Sequence, residues 1–560
     1  LANLDLETSE SRLRKHISIS YPSIQHIADS IGNLRIDADL DQVVVGLSDV
    51  LLFQPDLAEQ IYSAGLLAER VELNAKINGA VKDLHIPLFE LSASKNTFLT
   101  FRGNVKGLPD AANSHFDILL SELSTTKADV RSLIKPGVLP ENIEIPDKLS
   151  LSGFFKGYLK NFNGKADVRT SFGNAIAEIA MRTAETYDAA INIDHFDLGQ
   201  LLRQPETMGP VTLKAKIIGS GLSLETAKGK INLAIEQAVF RNYNYQHITA
   251  NGNFTGSSFE GNATANDPNL ALNFDGLLNF DKQAPYYKFT LDLKGMDLQA
   301  LHFMEDDLRV KGLLNADIKG SNLNDLNGNI DLRKVAFTRH DTIHTIDSLL
   351  FVSLSDSGSK SIDINSPFVS GTFNGNIGIA DMGTALQEHL SHYIHLSDSN
   401  IKLHEEQNFS FNLQLHNSDI YTVLVPGLKK FVPGDISGNF NSGTHVLDLK
   451  MTIPEIQYNS IHIDSFQLNI ASDSQSLRYH VALKALDNGE YYVLNPAVGG
   501  KVQNDSAGIH LTIQDEENKL KYLLAGNIEK QDQNYRFHFT PDSVILNYQP
   551  WSVTPDNLLV

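Results

Sequence analysis

Apolar and polar residues alternate with period two along much of this chain. Val211, Leu213, Ala215 and Ile217 fall on one side of a strand, with Thr212, Lys214 and Lys216 on the other. Tyr287, Phe289, Leu291 and Leu293 alternate with Lys288, Thr290, Asp292 and Lys294. The same pattern runs through Phe409, Phe411, Leu413 and Leu415, through Leu447, Leu449, Met451 and Ile453, and through Phe466, Leu468 and Ile470. Strict alternation predicts strands with one apolar and one wetted face, as in antiparallel sheets; buried parallel strands read instead as continuous apolar runs. No segment has the strand–helix–strand rhythm of a doubly wound parallel sheet.

A degenerate block recurs five times: an alternating strand, a Gly/Asn-rich turn and a second strand, at 71–84, 149–168, 211–233, 308–332 and 434–453. Segments upstream of four copies, at 56–67, 197–204, 297–307 and 419–431, read as one or two helical turns with Asp56, Asp197, Asp297 or Asp419 as the N-cap. Longer helices are expected at 383–396, where Leu386, Leu390, Tyr393 and Ile394 share a face, and at 121–134. The copies are unevenly spaced, so this is not a tight solenoid, but one supersecondary unit reused in this way usually stacks along an axis. At ~12 residues per strand and turn, the length implies on the order of 40 strands. The expected fold is mainly β: a long, curled, mostly antiparallel sheet forming a trough, built from degenerate repeats, with a few short helices. The Pro-rich stretch 135–148 reads as a hinge and 354–361 as a loop. Neither separates composition classes, so residues 1–560 read as one continuous segment with sub-unit limits at 1–135, 149–296, 297–418 and 419–560.

Composition narrows the function. The 560 residues carry a formal net charge of −21 with no Lys/Arg cluster, which disfavours nucleic acid as a partner. There is no cysteine, so disulfides, zinc–thiolate sites and Cys nucleophiles are excluded, and an oxidising compartment such as a bacterial periplasm fits. The chain starts at Leu1 without a secretory leader, ends at WSVTPDNLLV, and has no apolar run near the ~18 residues of a membrane span. It is expected to be a segment of a longer protein, with targeting or anchoring sequence outside it.

Candidate chemistry is sparse. Nucleophile-elbow, phosphate-loop, HExxH and dinucleotide motifs are absent, so no enzyme activity, catalytic residue or cofactor is expected. Glu388, His389, His392 and His395 have a helical spacing that zinc could use. They are read instead as polar residues beside an apolar stripe, and no metal is assigned. Asp267 and its neighbours in NDPNLAL read as a turn rather than cation ligands, and Tyr243 and Tyr245 as cross-strand packing rather than a stacking platform. The apolar faces admit two readings, a closed sandwich core or a lipid-lining trough. For the trough, the candidate lining residues are Val211, Leu213, Ile217, Phe289, Leu291, Leu293, Phe411, Leu413, Leu415, Leu447, Leu449, Phe466 and Leu468.

The texts at 101–134, 149–175, 240–254 and 261–280, with the DL-x-x-L segments leading into strand pairs, resemble the TamB (translocation and assembly module) family of the AsmA-like superfamily, Bacteroidota type. The resemblance covers nearly the whole chain and rests on the order of degenerate strand and turn texts, not on a catalytic signature. It implies a periplasmic β-groove of the bridge-like kind, anchored in the inner membrane of a Gram-negative bacterium by an N-terminal helix. It further implies phospholipid transport toward the outer membrane, and outer-membrane biogenesis and protein secretion with an Omp85-family barrel contacted through a region outside this segment. Elementary energetics agree: a two-chain phospholipid crossing water exposes ~30 methylenes at ~0.8 kcal/mol each, roughly 24 kcal/mol that an apolar groove removes. The alternative is a scaffold or chaperone that offers sheet edges to client strands of outer-membrane proteins. A carbohydrate-active enzyme would need paired carboxylates in a cleft, and none can be nominated.

Overall fold

The structure, a computed structural model, describes residues 4–21, 30–53, 70–93, 96–133, 140, 142–183, 185–223, 225–322, 324–339, 342–356, 358–394, 406–531 and 534–558. It is mainly β, one long antiparallel sheet of 35 strands that does not close into a barrel, as the alternation predicts. Short helices interrupt it: α1 (Leu47–Phe53), α2 (Lys127–Leu133), α3 (Leu198–Leu201), α4 (Met382–Ser391) and α5 (Ile420–Leu424). The chain forms two compact units. Unit 1 is Leu1–Asp275 with Asp297–Glu305, and unit 2 is Gly276–Met296 with Asp306–Val560.

The recurring block is a β-hairpin in each case. Arg70–Ala80 pairs with Asp83–Ala93, Lys148–Tyr158 with Asn161–Thr170, and Met208–Ser220 with Lys228–Phe240. In unit 2, Leu308–Lys319 pairs with Asn327–Arg339 and Asp435–Asn441 with Val446–Tyr458. The Asp-led segments are rim turns. The Asp197 carboxylate accepts the Gln200 N–H at 2.9 Å and caps α3, which ends at Leu201 shortly before Arg203 turns left-handed at φ +57°. Asp297 repeats the geometry: its carboxylate accepts the Ala300 N–H at 2.9 Å, but His302 turns left-handed at φ +62° and hydrogen-bonded turns replace the expected helix. Asp419 precedes α5 but makes no side-chain cap. The segment 56–67 lies outside the described residues, as do 135–139 and 141 of the Pro-rich stretch and His395. At 121–134 the strand His115–Thr126 runs on through the first half, and helix α2 begins only at Lys127.

Register shifts cluster in the first half of unit 1. Its five successive pairings from Arg35–Gly46 to Lys148–Tyr158 each carry a register shift, for example between Leu40 and Val43 around Gln42 at φ +55°. Shifts of this kind add twist and bend a sheet. The next three pairings have none, and there a glycine allows close approach. Gly153 sits at φ +155°, and a Cβ there would lie 1.8 Å from the Lys165 carbonyl oxygen, so only glycine lets these two strands approach.

Unit 2 contains a core that the sequence does not announce. Helix α4 lies on the apolar face of the sheet, where Ala385, Tyr393 and Ile394 pack with Ile362, Phe373, Phe409, Phe440, Leu447, Leu477 and Val502. Met382, Leu386 and Leu390 complete the contact, so the stripe expected on this helix is the one it buries.

Candidate functional site: a continuous apolar face

In unit 1 the register places apolar residues in transverse rows that cross every strand from Arg35–Gly46 onward. One row runs Val43, Leu73, Leu91, Leu99, Leu123, Leu151, Val168, Ala175, Ile193, Leu213, Ile235, Ile248 and Ala265, thirteen directly opposed residues on thirteen consecutive strands. A second row, from Leu40 through Ala75, Phe89, Phe101 and Leu120 to Ala263, runs beside it. At ~4.8 Å per strand the first row follows a contour of about 58 Å.

Exposure decides what kind of face this is. Inner positions of a packed sandwich would be buried along the row. Here only Val43 and Ala265, at the two ends, are buried; the eleven residues between them are half-buried. The opposite face carries exposed cross-strand ion pairs such as Lys156–Asp117 at 2.9 Å and Lys165–Glu178 at 2.8 Å. Such pairs contribute little stability and mark the wetted side. The apolar face of unit 1 is therefore partly shaded but, among the described residues, not filled by a second layer.

Unit 2 repeats the row: Ala316, Ile330, Phe351, Ile364, Gly371, Leu413, Ile436, Met451, Leu468, Val481, Val498, Leu511, Leu524 and Val544 oppose one another across successive strands. Beside it, the margin formed by Phe409, Phe440, Leu447, Leu477 and Val502 is covered by α4.

Ten of the thirteen candidate lining residues lie on strands whose pairings place them on these faces. Leu213 opposes Ile193 and Ile235, and Ile217 opposes Ala189 and Ile231. Phe289, Leu291 and Leu293 are half-buried and alternate with exposed Lys288, Thr290 and Lys294. Phe411 opposes Phe373, Leu413 opposes Gly371, and Leu415 opposes Val369. Leu449 opposes Gly438 and Ile470, Leu468 opposes Met451, and Phe466 opposes Ile453. Two have little exposure: Val211 at 5% and Leu447 at 8%, the latter in the core under α4.

The histidines form a structural cluster. His389 is buried, in edge contact with Phe440 and Tyr393, and its Nε2 lies 2.8 Å from Ser472 Oγ. That hydroxyl donates to the His445 carbonyl and accepts the Leu447 N–H, so the network assigns the proton of His389 to Nε2. Its Nδ1 is then a bare acceptor without a partner. Burial, followed by the neighbouring His445 and His392, pushes His389 down to about 4. His392 stacks on His445, a residue absent from the sequence-based candidates, with ring centroids 3.9 Å apart, and burial lowers His445 as well. Among the described residues no group of His, Asp and Glu has metal-binding geometry.

Asp267 is a buried anchor: its carboxylate accepts the Tyr243 hydroxyl and the N–H groups of Gln246 and Asn269. Burial, then this bond, pushes Tyr243 up to about 12. Tyr243 and Tyr245 pack edge-to-face on one another at 4.8 Å. Among the described residues no helix is long and apolar enough to cross a membrane. Comparison with protein-family models and with curated proteins finds no match to this chain.

Proposed function

We propose that the chain is a section of an apolar conduit that carries phospholipid by its acyl chains, within a TamB-like protein spanning the periplasm between inner and outer membrane. The observation that carries this reading is the thirteen-residue apolar row of unit 1, half-buried between its two ends yet covered by no second layer among the described residues. A face of this kind exposes apolar area that water disfavours at about 25 cal/mol per Å², and an acyl chain laid along the row removes it. The rows offer no convergent set of polar groups, so head groups are not selected. Anchoring in the inner membrane and engagement of an Omp85-family barrel belong to this proposal as roles of sequence outside the segment. The test is native mass spectrometry and lipid extraction of the purified chain. Co-purified phospholipid with mixed head groups is expected. A lipid-free chain that also fails to bind a fluorescent acyl probe overturns the conduit.

A further inference from the structure

We propose that helix α4 is a displaceable occupant of the unit 2 face: it fills the margin that a second acyl chain would take, and protonation of the buried His389 releases it. This rests on the acyl-chain reading above.

Three features support it. First, α4 is dispensable for the sheet. The strands that flank it in sequence, Val369–Gly375 and Asn408–Leu415, pair directly from Val369↔Leu415 to Gly375↔Phe409. Withdrawing the helix leaves that ladder intact and bares Phe409, Phe440 and Leu447 beside the open row.

Second, the helix is pinned by polar contacts at its two ends. At the N-terminal end the Asn324 side chain donates to the Asp381 carboxylate at 2.9 Å and accepts the Ala380 N–H at 3.2 Å. At the C-terminal end the Tyr393 hydroxyl donates to the Asp473 carbonyl at 2.6 Å, and the Asp505 N–H donates to the Tyr393 carbonyl at 2.9 Å. Between these two anchors lie nine ladder pairings, about 43 Å of sheet at ~4.8 Å each. Residues 378–394, taken as helix at ~1.5 Å per residue, reach only about 24 Å. The strand ends therefore curve around α4, and its release lets the margin open.

Third, the buried histidine of the C-terminal anchor has nowhere to put a second proton, whereas His392 is exposed with its Nε2 3.2 Å from the Ser474 carbonyl. The His389 Nδ1 points at no acceptor, and His392 and His445 lie against each other face to face. The charged and titratable groups of the packed elements are Glu388 on the helix, Glu406 beside the turn at Gly443, Asp473, Arg478 and Lys501 on the neighbouring strands and turn, and Asp505. Asp473 already accepts the N–H groups of Gln475 and Ser476 and faces Arg478 at 3.7 Å. Among the described residues no carboxylate bonds to any of the three imidazoles. A second proton on His389 is an unpaired buried charge beside two further imidazoles, a state that undocking relieves.

The chain has no native cysteine, so Gln387→Cys on the exposed side of α4 gives one site for a spin label in the otherwise unchanged full chain. The ligand probe is a dansyl-labelled lysophosphatidylcholine, zwitterionic over the range used. With His389 held near 4 against an ordinary 6.5, lowering the pH from about 7.5 to about 5.5 raises the undocked-to-docked ratio on the order of tenfold. The label should gain mobility, and the number of probe molecules bound per chain should rise. In His389→Leu, where Ser472 keeps its other partners, both changes should vanish. Probe binding with the same stoichiometry at both pH values and an immobile label overturns the release and leaves the conduit standing. A label that mobilises on acidification in a chain that binds no probe at either pH keeps the pH-released helix and overturns the acyl-chain reading. An immobile label and no probe binding overturns both.

Discussion

Leu213 and Leu447 occupy equivalent places in the strand alternation but differ in cover, and arginine at each separates an open face from a packed one. Leu213 is half-buried between Ile193 and Ile235 with no layer above it among the described residues. Full burial of a leucine is worth about 1.5–3 kcal/mol, so a half-buried one gives up about 1 kcal/mol. The arginine stem then lies along the apolar row while its guanidinium reaches water, which recovers part of that. Leu447 is 8% exposed, next to Phe440 in the core under α4. An unpaired charge there costs about 4 kcal/mol or more, a large share of the 5–15 kcal/mol that holds a typical domain. Urea titration followed by far-UV circular dichroism measures both. Leu213→Arg should shift the midpoint slightly and keep the β signal, whereas Leu447→Arg should unfold unit 2 or bring its transition close to zero denaturant.

The same pair reports on the conduit. Leu213→Arg places a charge in the middle of the row, so acyl-probe occupancy should fall while the fold persists. Equal destabilisation by the two substitutions, or loss of folding in Leu213→Arg, would refute the open face and return unit 1 to an ordinary packed core.

Other outcomes follow from single contacts. Gly153→Val should destabilise the hairpin of Lys148–Tyr158 with Asn161–Thr170 by about 3 kcal/mol or more in a thermal melt, because its Cβ would lie 1.8 Å from the Lys165 carbonyl oxygen at a left-handed φ. Gly358→Val, with nothing within 4 Å of its Cβ at φ +85°, should cost less, about 1–2 kcal/mol of backbone strain without the clash. Asp197→Ala removes the α3 cap and should cost about 1 kcal/mol, with proteolysis between residues 198 and 207 as a local readout. Burial depresses His389, so the unfolded chain takes up the proton first. The stability of unit 2 is then complete above about pH 6.5 and falls toward pH 4, by up to ~1.4 kcal/mol per pH unit and roughly 3 kcal/mol in all. Urea midpoints across that range should show the slope, and His389→Leu should flatten it.

Much of the fold was legible because alternation is a local signal that register preserves. A face written as Leu213, Ala215, Ile217 meets Ile193, Ile191, Ala189 on one side and Ile235, Leu233, Ile231 on the other. Each strand carries the same period, so reading any one of them correctly reads its neighbours. The hairpin blocks were legible for the same reason, since strand, turn and strand are contiguous. The Asp-led turns were legible only in part. Asp197 and Asp297 make the same backbone contact, but whether a helix follows depends on where the chain turns left-handed, at Arg203 or at His302, and neither residue type announces that conformation.

The cover over the apolar face is different in kind. Leu213-Lys-Ala-Lys-Ile217 and Leu447-Asp-Leu-Lys-Met451 have the same pattern, yet the first face is open and the second begins beneath a helix. That helix comes from residues 382–391, inserted between two strands that pair as though it were absent. Its stripe of Leu386, Leu390, Tyr393 and Ile394 specifies that it must bury one side, but no property of the stripe names Phe440 or Leu447 as the partner. His389 belongs to the same class: a histidine beside an apolar stripe reads as a surface residue until a strand from 461–472 brings Ser472 to its Nε2 and leaves Nδ1 bare. Alternation thus specifies which face of a sheet is apolar. Whether that face is a groove or a core is decided by which distant amphipathic segment reaches it, and in this chain the deciding segment is held at one end by an anchor that protonation weakens.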